Sequence, residues 1–403
     1  MISATEQNLI EGQEIVCFAS ASYDARSWVN VQHVMTRLAK TNRILYVESP
    51  GMRSFRLSSG LDVSRLASRL RRVAGGMTTP QPNLQVLSVW GIPFLRRGAV
   101  ERLNRWLFGR QVKRAASKLG FHRPIAWSFL PTMAGCAAAL DPRLVIYHCV
   151  DNYSANPGVD SRAIALAESA MLRAADIVFT TSRLLYEDKR QRNPHTHYVP
   201  NVADVSIFRP DVPPCEEILR LRARPVTGFV GNISQYKLDL ELIERSARQR
   251  SDWNWALVGP IGMGDPTTDV AALRALPNVF FLGEVPHEEV PGYVAGMDVC
   301  IIPFRLNSST THSFPMKFHE FLAMGKPIVA TDLPSLTEFR EFFYPVREAG
   351  EFVPSIERAL KEPASLAERR ILVARENSWD RRIGQISEIV REALRRGRES
   401  GEA

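Results

Sequence analysis

Two charged side chains, Lys317 and Glu320, lie three positions apart in a stretch that is rich in hydroxyl residues. On a helix this spacing places both on one face. A lysine ammonium and the backbone N–H groups at a helix start bind phosphate oxygens, and a carboxylate can accept hydrogen bonds from two neighbouring sugar hydroxyls. The hydroxyls of Thr310, Thr311 and Ser313 can donate further hydrogen bonds. This chemistry suits a nucleotide diphosphate, although a capped surface helix with a solvated Lys and Glu would show the same spacing.

The residues around this pair predict the element that positions it. Pro315 stands at the preferred first turn of a helix, and Gly325 stands just past its end. The pattern therefore predicts a helix over 316–324, followed by an apolar strand over 327–330. The large apolar side chains of the helix share one face, which predicts that this face is buried in a core.

The string P-M-K-F-H-E-F-L-A-M-G-K-P-I-V-A-T, residues 315–331, resembles the donor-site signature of the retaining glycosyltransferases of family four. The branch with teichuronic-acid-type transferases is the most similar one. The resemblance is strong over about residues 199–382 and weak over the first 140 residues. It implies an α/β chain with the GT-B fold, in which two Rossmann-like domains with doubly wound parallel sheets face a central cleft.

The resemblance also implies a donor site for a nucleotide-diphosphate sugar. In the family a Glu at the position of Glu320 holds the ribose, and another Glu stands eight residues earlier, where this chain has His312. A family turn carries an Arg and, five residues later, a Lys, both directed at the diphosphate; here these positions are Asn232 and Lys237. Lys317 is our candidate to replace the missing cation. The predicted donor-binding residues are Gly231, Asn232, Lys237, Gly283, Val285, His312, Ser313, Phe314, Pro315, Met316, Lys317 and Glu320.

Three of the candidate residues are predicted to be catalytic, namely Asp151, Lys237 and Glu320. Breaking the bond between sugar and diphosphate leaves negative charge on the diphosphate, and fixed positive groups lower this barrier. The resemblance implies a retaining, metal-independent transfer in which the diphosphate takes the acceptor's proton. Domain closure is expected to exclude water from the donor.

The acceptor side is predicted from residues that follow strands, because ligands of doubly wound sheets bind beyond the carboxyl ends of the strands. Segments 20–28 and 48–52 follow the first two predicted strands, and Asp151 follows the strand predicted over 144–148. Related transferases place a polar group near this last strand end. A buried His that bonds a neighbouring carboxylate remains an alternative for the histidine there. The predicted acceptor-binding residues are Tyr23, Trp28, His148 and Asp151.

The order of predicted elements divides the chain into an acceptor-binding domain over 1–208, a linker over 209–225 and a nucleotide-sugar-binding domain over 226–375. A terminal helix over 376–403 is expected to cross back to the first domain. No G-x-G-x-x-G follows the first strand, and the G-P-I-G-M-G run after Val258 is interpreted as a flexible loop. We therefore expect no cofactor apart from the donor substrate.

Composition limits the compartment and the partners. The chain has 403 residues, 45% of them hydrophobic, and its five cysteines are scattered without a C-x-x-C pair. This pattern indicates reduced thiols in a cytosolic protein and no metal site. We expect no signal peptide, and no apolar run approaches the roughly 18 residues that span a bilayer.

Basic residues are concentrated between positions 51 and 125, where 15 Lys or Arg face two acids and the net charge is +13. Residues 64–73 and 101–118 have the pattern of basic amphipathic helices, the second with Trp106 among its apolar residues. Such helices lie well on anionic lipid headgroups, so a peripheral position on the inner face of the cell membrane is one interpretation. A solvated Arg-rich face is the other. No nucleic-acid-binding motif accompanies the charge, so no nucleic acid partner is expected.

The predicted function is transfer of a sugar from a nucleotide-diphosphate sugar to a saccharide or lipid-linked saccharide acceptor in cell-surface polysaccharide biosynthesis. Two alternatives stay open. One is another enzyme on the same fold, a nucleotide-sugar epimerase or a phosphorylase. The other is a catalytically weak protein that binds a nucleotide sugar, and the departures at His312 and Asn232 favour it.

Overall fold

The computed structural model describes residues 9–48, 76–90 and 99–399. Their contacts form two compact units. The first contains the described residues up to Ala25, then Val29–Val199, then those from Arg382 onward; the second contains Arg26–Trp28 and Pro200–Arg381.

The first unit is built on a sheet that has eight strands among the described residues, in the order β3-β4-β2-β1-β5-β6-β7-β8. All neighbours are parallel except β3 and β4. The strands are β1 Glu14–Ala19, β2 Arg43–Glu48, β3 Met77–Gln81, β4 Leu84–Ser88, β5 Ile125–Ser128, β6 Leu144–Cys149, β7 Ile177–Thr180 and β8 Thr196–Tyr198. The helices are Asn30–Leu38, Ala99–Lys118, Ala134–Ala138, Ser161–Ala174 and Arg183–Arg190.

The central strands of this sheet have apolar sequences because helices cover both faces of a parallel sheet. The Asn30–Leu38 helix connects β1 to β2, and these two strands pair in parallel. Asp160 caps the Ser161–Ala174 helix by accepting a hydrogen bond from the Ala163 N–H at 3.1 Å.

The second unit is built on a sheet in which the described residues form six parallel strands, in the order β11-β10-β9-β12-β13-β14. The strands are β9 Val226–Val230, β10 Asn254–Val258, β11 Val279–Gly283, β12 Val299–Ile302, β13 Ile328–Thr331 and β14 Tyr344–Val346. The helices are Glu216–Leu219, Leu240–Gln249, Ala271–Arg274, Val290–Gly296, Met316–Ala323, Phe352–Ala359 and Ser365–Glu376.

The observed units differ from the predicted domains at the linker. Residues 209–225 lie within the second unit, because Ile218 and Leu221 pack into its hydrophobic core together with Phe208. The terminal helix spans Trp379–Glu399, and it is grouped with the first unit from Arg382 onward.

Only one of the two predicted basic helices lies within the described residues. The basic helix predicted over 101–118 is present as Ala99–Lys118, whereas the one predicted over 64–73 lies outside the described residues. Within the described ranges, no helix combines the length and the apolar character needed to cross a membrane.

Candidate functional site

The candidate donor residues belong to loops at the carboxyl ends of neighbouring strands in the second unit. β9 pairs in parallel with both β10 and β12, so the loops that follow these strands share one edge of the sheet. Gly231, with φ at 146°, follows β9, and Gly259 follows β10. A Cβ on Gly259 would lie 2.0 Å from the Gly231 carbonyl oxygen, so the two loops can touch only because glycine stands there.

The Met316–Ala323 helix begins at the predicted residue and ends one residue before the predicted end. Pro315 stands at its N-cap position and makes no side-chain capping hydrogen bond. The Asn201 amide donates to the Phe314 carbonyl at 3.1 Å and so fixes the chain just before the helix. A helix start without a side-chain cap keeps backbone N–H groups for an anion.

Lys317 and Glu320 share one face of this helix and form an ion pair, with Lys317 Nζ 2.8 Å from Glu320 Oε2. The Glu320 residue is only 1% exposed, and a carboxylate in such a position needs a positive or hydrogen-bonding partner. Lys317 is that partner here. In this conformation its charge therefore compensates Glu320, which qualifies the prediction that Lys317 replaces the missing cation for the diphosphate.

The hydroxyl residues before the helix have a different role from the one predicted. Thr310 is buried and its hydroxyl donates to the Arg305 carbonyl, while the Thr311 hydroxyl donates to the Asn307 carbonyl at 2.7 Å. The prediction that these two hydroxyls donate to phosphate is wrong for this conformation, because they bond their own turn. His312 is half-buried, and its Nδ1 lies 2.9 Å from the Ser308 carbonyl oxygen. Ser313, which was also predicted to bind the donor, lies between His312 and Phe314 in the sequence.

Asn232, at the family's arginine position, is bonded to a neighbouring loop. Its Nδ2 donates to the Met263 carbonyl at 2.6 Å, and its Oδ1 accepts from the Met263 N–H at 3.1 Å. The side chain therefore ties the loop after β9 to the loop after β10. Lys237 is half-buried with its ammonium 5.7 Å from the centre of the Tyr236 ring.

Two of the predicted donor-binding residues lie at the carboxyl end of β11: Gly283 is the last residue of the strand, and Val285 lies in the loop that follows. Gly283 is exposed with φ at 76°, and its carbonyl accepts a hydrogen bond from Gly259 at 2.6 Å. Val285 is half-buried and packs on the core of the second unit. The end of β11 therefore lies next to the loop after β10, and a role of Gly283 and Val285 in donor binding stays a prediction.

His287, two residues beyond Val285, was not identified from the sequence. It is 6% exposed, and its ring stacks on that of Trp28 with centroids 5.8 Å apart and an interplanar angle of 4°. Burial lowers the pKa of His287, and the nearby charges of Glu320 and Lys317 act on it in opposite directions. Trp28 thus belongs to the second unit, whereas the other predicted acceptor residues belong to the first.

His148, at the end of β6, is fully buried against the rings of Trp127, Phe129 and Phe179, with centroids 4.7 Å from Phe129. Neither ring nitrogen has a hydrogen-bond partner among the described residues. Burial lowers the pKa of His148 to about 3, so the ring is neutral. The prediction of acceptor contact does not fit this placement, and neither does the alternative of a histidine bonded to a carboxylate.

Tyr23 and Asp151 lie in the first unit at strand ends, where they were predicted. The Tyr23 N–H donates to Glu48 at 2.9 Å, and its ring meets that of Tyr46 edge-on at 5.4 Å. Asp151 is half-buried just after β6, and its carbonyl accepts from the Tyr153 N–H at 3.0 Å.

An ionic network around the buried Lys189, which also contacts β6 through Tyr147, was not identified from the sequence. Lys189 lies 2.7 Å from both Glu168 and Asp188, and the Tyr147 hydroxyl donates to Glu168 at 2.9 Å. The Tyr147–Glu168 and Lys189–Glu168 contacts each join residues 21 positions apart in sequence, so no local pattern indicated them.

Comparisons with known proteins agree with this architecture. Residues 224–362 match the family model described as Glycosyl transferases group 1. TuaH of Bacillus subtilis, assigned to teichuronic acid biosynthesis as a glycosyltransferase, is 30% identical over 261 residues. That alignment covers 60% of this chain and 65% of TuaH, so the match spans just under two thirds of that relative's length.

Solved structures resemble nearly the whole chain. Sucrose-phosphate synthase from Thermosynechococcus elongatus has 17% identity and a TM-score of 0.68, over 94% of this chain and 98% of that one. Anabaena HepE in complex with UDP-glucose has 15% identity and a TM-score of 0.68, over 94% and 99%. The fold is therefore GT-B. Over residues 224–362 the chain is similar to the glycosyl transferases group 1 family.

Proposed function

We propose that this chain transfers a sugar from a nucleotide-diphosphate sugar to a saccharide or lipid-linked saccharide, with retention at the anomeric carbon and without a metal ion. One observation carries the proposal. A nearly fully buried carboxylate, Glu320, is compensated by Lys317 at 2.8 Å, one turn from a helix start whose N-cap residue, Pro315, makes no side-chain capping bond. Such a site offers acceptors for ribose hydroxyls and donors for phosphate within one short element.

The reaction follows from the charges that appear as the bond breaks. The bond between the anomeric carbon and the diphosphate oxygen breaks, and the nucleotide leaves with additional negative charge. Lys237 and the backbone N–H groups near Pro315 stabilise that charge, and the diphosphate accepts the proton of the attacking hydroxyl. Asp151 is proposed to bind the acceptor in the first unit.

The relatives indicate where testing should begin. HepE has been solved with UDP, with UDP and glucose, and with UDP-glucose, so UDP-sugars are the first donors to try. The resemblance to TuaH supports a role in cell-surface polysaccharide synthesis. ADP- and GDP-sugars complete the panel.

The test measures nucleotide diphosphate release from each donor with and without saccharide acceptors. We expect slow release without acceptor and a marked increase with the correct one, and NMR of the product should show the donor's anomeric configuration. An epimerase would convert the donor without releasing nucleotide. Saturable nucleotide binding with no turnover would support the alternative of a binding protein. Asn232 favours that alternative, because it is bonded to Met263 at the position where the family resemblance implies a cation.

We also propose that the protein lies on the cytoplasmic face of an anionic membrane through the Ala99–Lys118 helix. Trp106 and Leu103 are 56% and 43% exposed, and the Arg110 guanidinium lies 5.2 Å from the centre of the Trp106 ring. Lys113 and Arg114 are exposed one turn further on, and from Leu103 to Lys118 this helix contains no acidic residue. Exposed Trp and Leu beside cations suit the headgroup region of anionic lipids.

A further inference from the structure

The turn that carries Lys237 is held from two sides by neighbouring loops. The Tyr236 N–H donates to Asp265 Oδ2 at 3.2 Å, and the Tyr236 carbonyl accepts from Asn307 Nδ2 at 2.6 Å. The Lys237 carbonyl accepts from the Arg305 N–H at 2.8 Å. The loops after β10 and β12 thus fix the backbone from which the Lys237 side chain extends.

Asp265 is a buried acid, 3% exposed, in the loop that the sequence predicted to be flexible. Besides Tyr236, it accepts hydrogen bonds from the Thr267 hydroxyl at 2.6 Å and the Thr268 hydroxyl at 3.1 Å. Burial alone would raise the pKa of Asp265, but the donors from Thr267, Thr268 and Tyr236 outweigh it and hold that pKa below its usual value. The loop is therefore tied down around an ionised carboxylate, and Asn232 bonds it a second time through Met263.

Asn307 connects the same turn to the segment that leads into the Met316–Ala323 helix. Its Oδ1 accepts from the Ser309 N–H at 2.9 Å and the Thr310 N–H at 3.0 Å, while its Nδ2 bonds Tyr236. One amide side chain thereby joins the Lys237 turn to the turn that precedes the helix start. Asn307 and Tyr236 are 71 positions apart in sequence.

We propose that Asp265 and Asn307 are positioning residues that hold Lys237 where it binds the donor diphosphate. This inference rests on the proposed function. A lysine ammonium sits on a flexible four-carbon stem, so the backbone anchor determines where the charge can reach. The need is greater in this chain because Asn232 stands where the family resemblance implies a second cation.

The experiment measures the affinity of UDP and of uridine by calorimetry, with GDP and ADP and their nucleosides if UDP does not bind. Variants are Lys237→Met, Asp265→Asn, Asn307→Ala and the two doubles with Lys237→Met. We expect each positioning variant to weaken UDP binding about tenfold, which is the size of a lost hydrogen bond to a charged group, and to leave uridine binding unchanged. In the Lys237→Met background the second substitution should have no further effect, because both act through the same ammonium.

Asn278→Ala is the matched control. Its buried amide donates to the carbonyls of Ala247, Arg250 and Trp253 at 3.0 to 3.2 Å elsewhere in the second unit. This variant should lower the melting temperature without changing UDP affinity. Additive losses in the doubles, or equal losses for UDP and uridine, would overturn the inference. Failure of the wild-type protein to bind any of the three nucleotides would instead overturn the proposed function.

Discussion

Replacing His148 with Leu should make the protein more resistant to acid. The folded state holds this histidine neutral, with its pKa lowered to about 3 by burial, whereas an unfolded histidine has a pKa of about 6.5. Between these values the unfolded chain binds more protons than the folded one, so the free energy of unfolding falls as the pH falls below 6.5. At about 1.4 kcal/mol per pH unit, the loss amounts to about 2 kcal/mol at pH 5.

The assay is urea unfolding of the wild-type protein and His148→Leu at pH 7.5 and at pH 5. Other groups titrate alike in both proteins, so the difference between their losses isolates His148. Between pH 7.5 and pH 5, we expect the free energy of unfolding to fall by about 2 kcal/mol less in the variant than in the wild type. His195→Gln, at an exposed position, should behave as the wild type does. The reasoning is refuted if His148→Leu loses as much free energy of unfolding as the wild type.

Three further predictions concern the membrane surface and the donor site. The wild-type protein should sediment with anionic vesicles and be released by salt. The double variant Trp106→Ala, Arg110→Glu should not bind these vesicles. Equal sedimentation of the wild-type protein with neutral vesicles would contradict the electrostatic account. Lys237→Met should lower kcat about a hundredfold, because it removes a charge that stabilises the leaving diphosphate. An unchanged kcat in a turnover assay would remove Lys237 from the mechanism. Gly259→Ala should lower the melting temperature and weaken nucleotide binding, because the added Cβ would lie 2.0 Å from the Gly231 carbonyl oxygen. Wild-type values in both measurements would mean that the loops after β9 and β10 separate freely.

The fold was largely predictable because its elements have strong local patterns. The helix predicted over 316–324 is Met316–Ala323 in the structure, and the strands predicted over 144–148 and 327–330 are Leu144–Cys149 and Ile328–Thr331. Strands β3, β8 and β14 were not predicted. β8 has only three residues, and β3 and β14 each contain a proline, which argues against a strand except at a sheet edge. Both strands are edge strands in the structure.

The candidate site was predictable only where one segment contains both partners. Lys317 and Glu320 lie within a single helical turn, so their spacing predicted a shared face, although not the ion pair that they form. Asn232 and Met263 are 31 positions apart, and nothing in either segment signals that an amide would bond the other loop's backbone. His148 shows the same limit, because its burial depends on aromatic residues contributed by two neighbouring strands and the chain that follows one of them.

The role of Glu320 is tested most directly by measuring UDP, GDP and ADP affinity for the wild-type protein and for Glu320→Gln, which keeps the shape of the side chain and removes its charge. A carboxylate that accepts hydrogen bonds from the ribose should make the variant bind its nucleotide roughly 10- to 100-fold more weakly, with a folded protein confirmed by circular dichroism. An unchanged nucleotide affinity in a folded Glu320→Gln protein would contradict the account.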